Sequence, residues 1–388
     1  MKDFTLVVPT IRTLYCWKSY VENFKKFDHD PGHVKLLVVD DYCPYIHENI
    51  KLLKSCDVPF EFWTIRKQKQ FFKSHFGEAW EGYWRVIPHH TDACRSFGYL
   101  VAALDSADII ITFDDDNWAI NSKRSRCFDY LSAHNVVDER IRCTEVSSHK
   151  GWFNTCALLK TSSRRLLYPR GYPYSKRGEN YSYSIGKGKV VMNVGLWTGN
   201  PDVDSITILN EGSLNGLSKT RTVGLKSYER IMLAKGTFAP INTANTAYCP
   251  ELLPCMYDTY QGVNVGEFRL DRYGDIWCNL FVKKIVDVVG DKITVGMPLV
   301  EHKREPRETM SDFKKEVWGM IVSQKLFEVV ESIEIGSKGY FDGYSELIQH
   351  LSTKTDSVCH DSPPIKKYFQ KLLEDMSKWL RMVEKLDA

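Results

Sequence analysis

The sequence lacks the marks of several protein classes. No stretch approaches the roughly 20 apolar residues that a membrane span requires. Its 11 cysteines are odd in number and scattered, with no C-x-x-C pair, so neither a zinc site nor a disulfide framework is expected. Reduced thiols in a cytoplasmic compartment are the better expectation. A strong charge of one sign is missing too: the net charge of +3 is too mild for a dedicated nucleic-acid binder. No internal repeat or low-complexity tract interrupts the chain. Met1-Lys2-Asp3 runs straight into strand-like sequence, so no leader is expected.

What is present is an ordinary globular composition, 43% hydrophobic and 26% charged, over 388 residues, enough for roughly two domain-sized units. Aromatic content is generous at 13%. Sugar and base faces stack on rings, although a large core consumes aromatics as well.

The first 120 residues alternate strand-like and helix-like segments. Phe4–Pro9, Val34–Val39, Phe60–Ile65 and Ile109–Phe113 read as buried strands, the last rich in β-branched residues. Leu14–Phe27 and Asp92–Leu104 read as helices, with Asp92 as the N-cap of the second. Such repetition predicts a parallel sheet flanked by helices, with ligands at the carboxyl ends of the strands. Asp40-Asp41 and Asp114-Asp115-Asp116 both fall at such ends. Residues 140–305 are richer in Gly, Pro, Asn and aromatics, with short apolar runs at Ile206–Leu209 and Ile293–Val295, and read as a mixed-strand half of the same globule. Amphipathic helices follow at Phe313–Ile333, Tyr344–His350 and Ile365–Leu386, the last announced by Ser362-Pro363-Pro364.

Adjacent carboxylates closing a strand need something to neutralise them. Asp114 and Asp116, one residue apart, can both reach a Mg²⁺ or Mn²⁺ whose other ligands are diphosphate oxygens and water. The bland alternative is a solvated acidic turn. His302, just beyond the Ile293–Val295 run, is a candidate third ligand. Pro9, Thr10 and Arg12 at the end of the first strand, with Asp41, Arg95, Asp115 and Trp197, are candidate nucleotide contacts, and the arginine fork suits phosphate. Two clusters are too rich in rings and charge to be plain linker: Tyr168–Arg177, with arginines at 170 and 177, and Asn193–Trp197 followed by Asn200–Asp204.

The sequence resembles the reversibly glycosylated polypeptides, the plant UDP-arabinopyranose mutases of glycosyltransferase family 75. The segments that carry the resemblance, in order, are Val7–Arg12, Ala93–Tyr99, Asp114–Asp116, Phe153–Thr155, Arg170–Arg177, Gly195–Trp197, Pro201–Asp204, Lys235–Thr237, Arg272–Trp277 and the region of His302. The resemblance implies an α/β, GT-A-like fold and a UDP-sugar substrate with Mn²⁺ or Mg²⁺. In it residues 1–309 form the catalytic domain, with 1–120 the Rossmann-like nucleotide-binding half and 121–309 the mixed-strand acceptor half, and 310–388 form a helical extension. It also implies that Arg170 matches the arginine that becomes glycosylated and Arg177 the second arginine the family needs. Since a guanidinium with a pKa above about 12 is a poor nucleophile, a carboxylate must take its proton or offset its charge, and Asp202 and Asp275 are the candidates. The chain departs from the plant pattern at Gly274-Asp275, where two acids are usual. It departs again in a basic-aromatic stretch between Arg66 and Arg85, read as a solvated loop or a grip for a polyanion, and in a basic loop carrying Lys219, Arg221, Lys226 and Arg230.

Three functions follow. The first is a mutase that returns the sugar to UDP in another ring size. The second is a transferase that passes it to an external acceptor, a saccharide or a hydroxylated base in DNA. The third is a non-catalytic scaffold working through its C-terminal helices, which are also the expected homo-oligomer surface.

Overall fold

A computed structural model describes residues 2–122, 124–178, 180–227, 229–359 and 362–386; Met1, on which the expectation of no leader partly rests, lies outside them. The N-terminal half opens with β1 (Phe4–Thr10), α1 (Cys16–Lys26), β2 (Val34–Asp40), α2 (Ile46–Lys54) and β3 (Phe60–Trp63). It continues with α3 (Ile65–Phe76), α4 (Trp80–Trp84), α5 (Arg95–Leu104) and β4 (Ile109–Phe113). β1 lies between β2 and β4, parallel to both, with Phe4 opposite Val34 and Ile109. β1 and β4 are buried along their whole length, which is why they read as continuous apolar runs and not as alternation. The order β3-β2-β1-β4 reverses direction between β1 and β4, so their carboxyl ends open a crevice at Thr10 and Asp114.

The mixed half extends the same sheet. It comprises β5 (Asn117–Ala119), α6 (Tyr130–His134), β6 (Arg140–Ser148), β7 (Leu159–Thr161), β8 (Tyr181–Gly199) and α7 (Ser205–Asn210). β9 (Thr222–Leu225), β10 (Ile231–Leu233), β11 (Asn245–Tyr248) and the hairpin β12 (Val263–Val265) with β13 (Phe268–Leu270) come next. α8 (Gly274–Val289) and β14 (Lys292–His302) complete it. β11 pairs antiparallel with β4 and joins the two halves. β14 runs parallel to β8, with Gly296 opposite Gly195 but Leu299 opposite Leu196, so Met297 and Pro298 bulge out of the ladder. β5, which follows the acidic triple directly, pairs antiparallel with β14 and sets His302 opposite Asn117. This is the α/β layout expected from the sequence, a parallel N-terminal half continued by a mixed-strand half.

Three local expectations change. The Arg66–Arg85 stretch is not a loop: Thr64 caps α3 through the Lys67 amide, and Phe71, Phe72 and Phe76 bury one face of it. Lys69 lies 5.6 Å from the Trp84 ring and Lys73 lies 4.8 Å from Trp80, so part of its basic character covers its own aromatics. Thr91, not Asp92, caps the turn leading into α5. The Ile206–Leu209 run is part of α7, capped by Asp204 through the Thr207 amide at 2.7 Å.

After residue 308 come α9 (Thr309–Ser332), α10 (Tyr340–Thr353), α11 (Thr355–Val358) and α12 (Pro363–Leu386). α12 buries Ile365, Phe369, Leu372, Met376, Trp379 and Val383 at helical spacing. The Trp379 ring packs against Tyr257 and its Nε1 donates to the Leu253 carbonyl at 3.1 Å. The apolar face of α12 is thus covered within the chain, whereas Met310 and Ile321 of α9 are each 41% exposed. No helix among the described residues is long and apolar enough to cross a membrane. All eleven cysteines are free thiols, buried except for Cys143.

One buried polar network crosses the sheet. His134 of α6 contacts Asn245 Oδ1 at 3.2 Å and Asn193 Nδ2 at 3.0 Å, and burial pushes its imidazole down to about 3. In the unfolded chain the same ring takes a proton near pH 6.5. The stability that the neutral ring contributes is therefore complete above pH 6.5 and is lost progressively as pH falls from there toward 3. A His134→Gln variant is expected to lose less stability than wild type between pH 7 and pH 5, read as the shift in urea midpoint. Parallel losses in the two proteins would contradict this.

Candidate active site

The carboxyl ends of β1, β2, β4 and β14, with the start of α8, enclose a cavity of about 460 Å³. Every nucleotide and metal candidate named from the sequence lines it: Pro9, Thr10, Arg12, Asp41, Arg95, Trp197, the three aspartates 114–116 and His302. What these groups hold differs from expectation in several places.

The acidic triple points three ways. Asp114 Oδ1 meets Arg95 Nη2 at 2.5 Å. Arg95 is fully buried and donates also to the Thr112 hydroxyl and to the carbonyls of Asp92 and Thr243. Its fork is spent on positioning Asp114, which corrects its reading as a nucleotide contact. Asp115 bridges Thr10 Oγ1 at 3.0 Å and Arg12 Nε at 3.2 Å, and burial, only partly opposed by Arg12, raises its carboxyl to about 7. Asp116 faces His302, with Oδ2 and Nε2 3.7 Å apart. Burial pushes Asp116 up, but His302, Arg12 and Arg304 outweigh it and hold the carboxyl at about 2.

Among the described residues no three His, Cys, Asp or Glu side chains gather closely enough to hold a metal unaided. The expected set of Asp114, Asp116 and His302 is therefore reduced to the last two, because Asp114 is turned to Arg95. That pair still fits a divalent ion whose remaining ligands come from phosphate and water. His302 Nδ1 lies 2.8 Å from the Asn200 carbonyl, a contact that favours hydrogen on Nδ1. Burial lowers the imidazole but Asp116 outweighs it and raises it, so Nε2 faces Asp116 as a protonated donor until an ion takes that proton's place.

Asp41 anchors the cavity lip: its two carboxylate oxygens accept from the amides of His90 and Thr91, both at 2.9 Å. Trp197 keeps a buried Nε1–H with no partner among the described residues, a donor available to a ligand.

Arg170 sits opposite the acidic triple in the same cavity. Nε and Nη2 donate to Asp202 at 3.1 Å each, and Nη1 and Nη2 donate to Asp275 at 3.3 and 3.1 Å. Nη1 also donates to the Arg272 carbonyl, so all five N–H directions of the fork are used. Gly171 makes this docking local: its φ of +83° turns the chain, and a Cβ there would come within 2.6 Å of Ile276 on α8. The two carboxylates differ. Burial raises Asp275, in the first turn of α8, above the ordinary carboxylate range, whereas Arg170 outweighs burial at Asp202 and depresses it.

Arg177, expected from the resemblance to handle the sugar together with Arg170, does not line this cavity. It lies between the rings of Tyr174 and Tyr168, at 3.9 and 4.8 Å, and pairs with Asp204 at 3.3 Å. There it clamps the loop that carries Arg170.

Sequence reasoning missed four features of the cavity wall. His90, which lines the wall, carries the exposed Tyr42 stacked on it at 4.6 Å, with both residues at positive φ. Arg272, Arg304 and Arg307 line the wall and pair with Asp312 and Glu316 of α9. The signal was available in the cation-dense run His302-Lys303-Arg304-Glu305-Pro306-Arg307 at the end of β14.

Comparison with known proteins places this geometry. The chain is 25% identical to UDP-arabinopyranose mutase 1 of Arabidopsis thaliana over 389 residues, covering 99% of this chain and 93% of that one. It is also 25% identical to a probable UDP-arabinopyranose mutase 2 of Solanum tuberosum, over 99% and 91% of the two chains. Among solved structures it is similar to glucosyl-3-phosphoglycerate synthase from Mycobacterium tuberculosis, at 10% identity and a TM-score of 0.36 over 85% of this chain and 78% of that one. A mannosyltransferase from Pyrobaculum calidifontis in complex with GDP-Man and Mn²⁺ is similar at 11% identity and a TM-score of 0.33, over 99% and 77%. Those two likenesses are remote, and nothing further rests on them. The family model for reversibly glycosylated polypeptides matches residues 3–388. The chain belongs to the reversibly glycosylated polypeptide family.

Proposed function

We propose that this chain is an enzyme acting on a UDP-sugar, UDP-arabinose by the names of its relatives, and that it interconverts the ring forms of the sugar by holding it on Arg170. The observation that carries the reading is the position of Arg170, in one cavity with the acidic triple and between two carboxylates of opposite tendency. UDP leaves the anomeric carbon, and a nitrogen of Arg170 forms the new bond to it. That nitrogen must give up a proton. Asp275, raised by burial, is the group placed to accept it, while Asp202, held ionised, offsets positive charge as it develops on the sugar. With the sugar on nitrogen, the nitrogen lone pair opens the C1–O5 bond and O5 takes up a proton; O4 then adds to C1 and gives up its proton, closing the smaller ring. Return of the proton from Asp275 to the nitrogen breaks the sugar–nitrogen bond, and a phosphate oxygen of UDP recaptures the anomeric carbon. A Mn²⁺ or Mg²⁺ ion at Asp116 and His302, when bound, neutralises the leaving diphosphate.

Incubation with UDP-arabinopyranose and Mn²⁺ is expected to give the furanose nucleotide, with a pentose-sized mass increase on the protein located at Arg170. Asp275→Asn is expected to slow both by about 10²-fold or more. Loss of His302 (His302→Gln) is expected to raise the Mn²⁺ concentration needed for half-maximal rate. Intact labelling in both Asp275→Asn and Asp202→Asn would undo the proton assignment. No turnover with any UDP-sugar would undo the reading itself.

One observation supports a second reading, transfer of the sugar to an external polyanion such as DNA carrying a hydroxylated base. Arg66, Lys69 and Lys73 line a shallow groove along α3. Sugar transfer that appears only when DNA or a saccharide is added would favour this reading over the mutase.

A further inference from the structure

Of the two arginines expected to grip a diphosphate, Arg95 is spent on Asp114, whereas Arg12 meets Asp115 through Nε and keeps its Nη atoms. Three other arginines line the same cavity. Arg272 Nε donates to Glu316 Oε1 at 2.7 Å. Arg304 Nη2 and Arg307 Nε share Asp312 Oδ2, at 2.5 and 2.8 Å. The two carboxylates belong to successive turns of α9 and are each only 1% exposed.

Three guanidiniums on two carboxylates leave one positive charge in excess within this cluster, on a cavity otherwise rich in aspartates. Their donors are also in excess. No hydrogen bond among the described residues takes up the Nη atoms of Arg272 or Arg307. Arg304, whose side chain is 4% exposed, keeps a buried Nε with no partner among them. Arg272 sits at φ +65°, a region a non-glycine residue enters only when its surroundings dictate it. Cations crowded together, anchored from behind by buried acids and with unused donors facing a cavity, are matched by an anion that can accept several N–H groups at once. A phosphate chain has that chemistry.

We infer that Arg272, Arg304 and Arg307 form the seat for the diphosphate of the nucleotide, with Asp312 and Glu316 as the positioning residues behind them; this rests on the reading of a UDP-sugar site. Arg304, His302 and Asp116 line the same cavity, so a diphosphate on this wall shares it with the Asp116–His302 pair. The helical region after residue 308 is then part of the binding site, because α9 supplies the acids that aim the arginines.

The test is calorimetric titration of the full chain with UDP, uridine and inorganic pyrophosphate, each with Mg²⁺ and with chelator. Arg307→Gln is the principal variant, since Arg307 is 42% exposed and its loss leaves the core intact. Arg307→Lys tests the fork, and thermal midpoints confirm folding. Arg307→Gln is expected to weaken UDP and pyrophosphate at least tenfold and to leave uridine unchanged, with Arg307→Lys between it and wild type. Wild type and variant binding UDP equally would overturn the seat and leave the UDP-sugar reading standing. Wild type that binds pyrophosphate but not UDP, with the loss in Arg307→Gln, would support the seat and sink the UDP-sugar reading. Binding of neither by wild type would overturn both.

Discussion

Arg170→Met is expected to destabilise the folded chain by about 3–5 kcal/mol, the range for removing one partner of a buried ion pair. Arg170, Asp202 and Asp275 have side chains only 8%, 14% and 6% exposed, so the two carboxylates left behind cannot recover the lost partner from water. A surface pair would cost about 1 kcal/mol or less. Neutralising the acids as well, in Arg170→Met with Asp202→Asn and Asp275→Asn, is expected to restore most of the loss, because the cost comes from stranded charge and not from lost volume. Arg170→Lys keeps the charge but not the planar fork that reaches Asp202, Asp275 and the Arg272 carbonyl together, and is expected to regain only part of it. Denaturant midpoints at pH 7 measure all three. If Arg170→Met alone costs less than about 1 kcal/mol, the cluster is more hydrated than its exposure indicates.

The second large effect is expected far from the cavity. Trp379→Ala removes a fully buried indole from α12, and such truncations cost about 3–5 kcal/mol against a total stability of about 5–15 kcal/mol. Activity is expected to fall with the fraction folded and not before it. The route to the site is short nonetheless. Phe369 of α12 packs on Trp277 at 5.8 Å, and Trp277 lies two residues after Asp275 on α8, with its Nε1 donating to Ser323 of α9 at 2.8 Å. A thermal melt paired with activity at several temperatures reads this out. Lost activity at temperatures where Trp379→Ala is still fully folded would show that α12 tunes the site and does not merely support it.

Much of the frame is visible in residue order. The continuous apolar runs of β1, β2 and β4 announce strands buried on both faces, and the aspartates that follow them mark the rim of the cavity by their position alone. Arg170 is legible too, through the resemblance that surrounds it. Pairing is not legible. A guanidinium in the sequence gives no sign of what it meets, and here Arg95 reaches Thr243, Arg170 reaches Asp275 and Arg272 reaches Glu316, at separations of 148, 105 and 44 residues. Those choices decide function. They commit Arg95 to Asp114, move Arg177 into a clamp between two tyrosines, and bring forward an arginine wall that had looked like the tail of a strand. The Arg66–Arg85 stretch misled for a related reason: its lysines suggested solvent, while the phenylalanines at helical spacing beneath them were building a core face.

The bulge at Met297 and Pro298 has a consequence for how the active site is measured out. Had β14 kept step with β8 after the pairing of Gly296 with Gly195, Val300 would stand opposite Gly199, where His302 stands now. The imidazole would lie two residues further on, about 7 Å past Asp116 at the usual rise per residue. The two extra residues act as a spacer that sets the phase of the strand without disturbing the packed segment before it. A change of length there would leave a folded, soluble protein whose histidine arrives at the wrong address, so loss of function with an intact core is the signature of this segment.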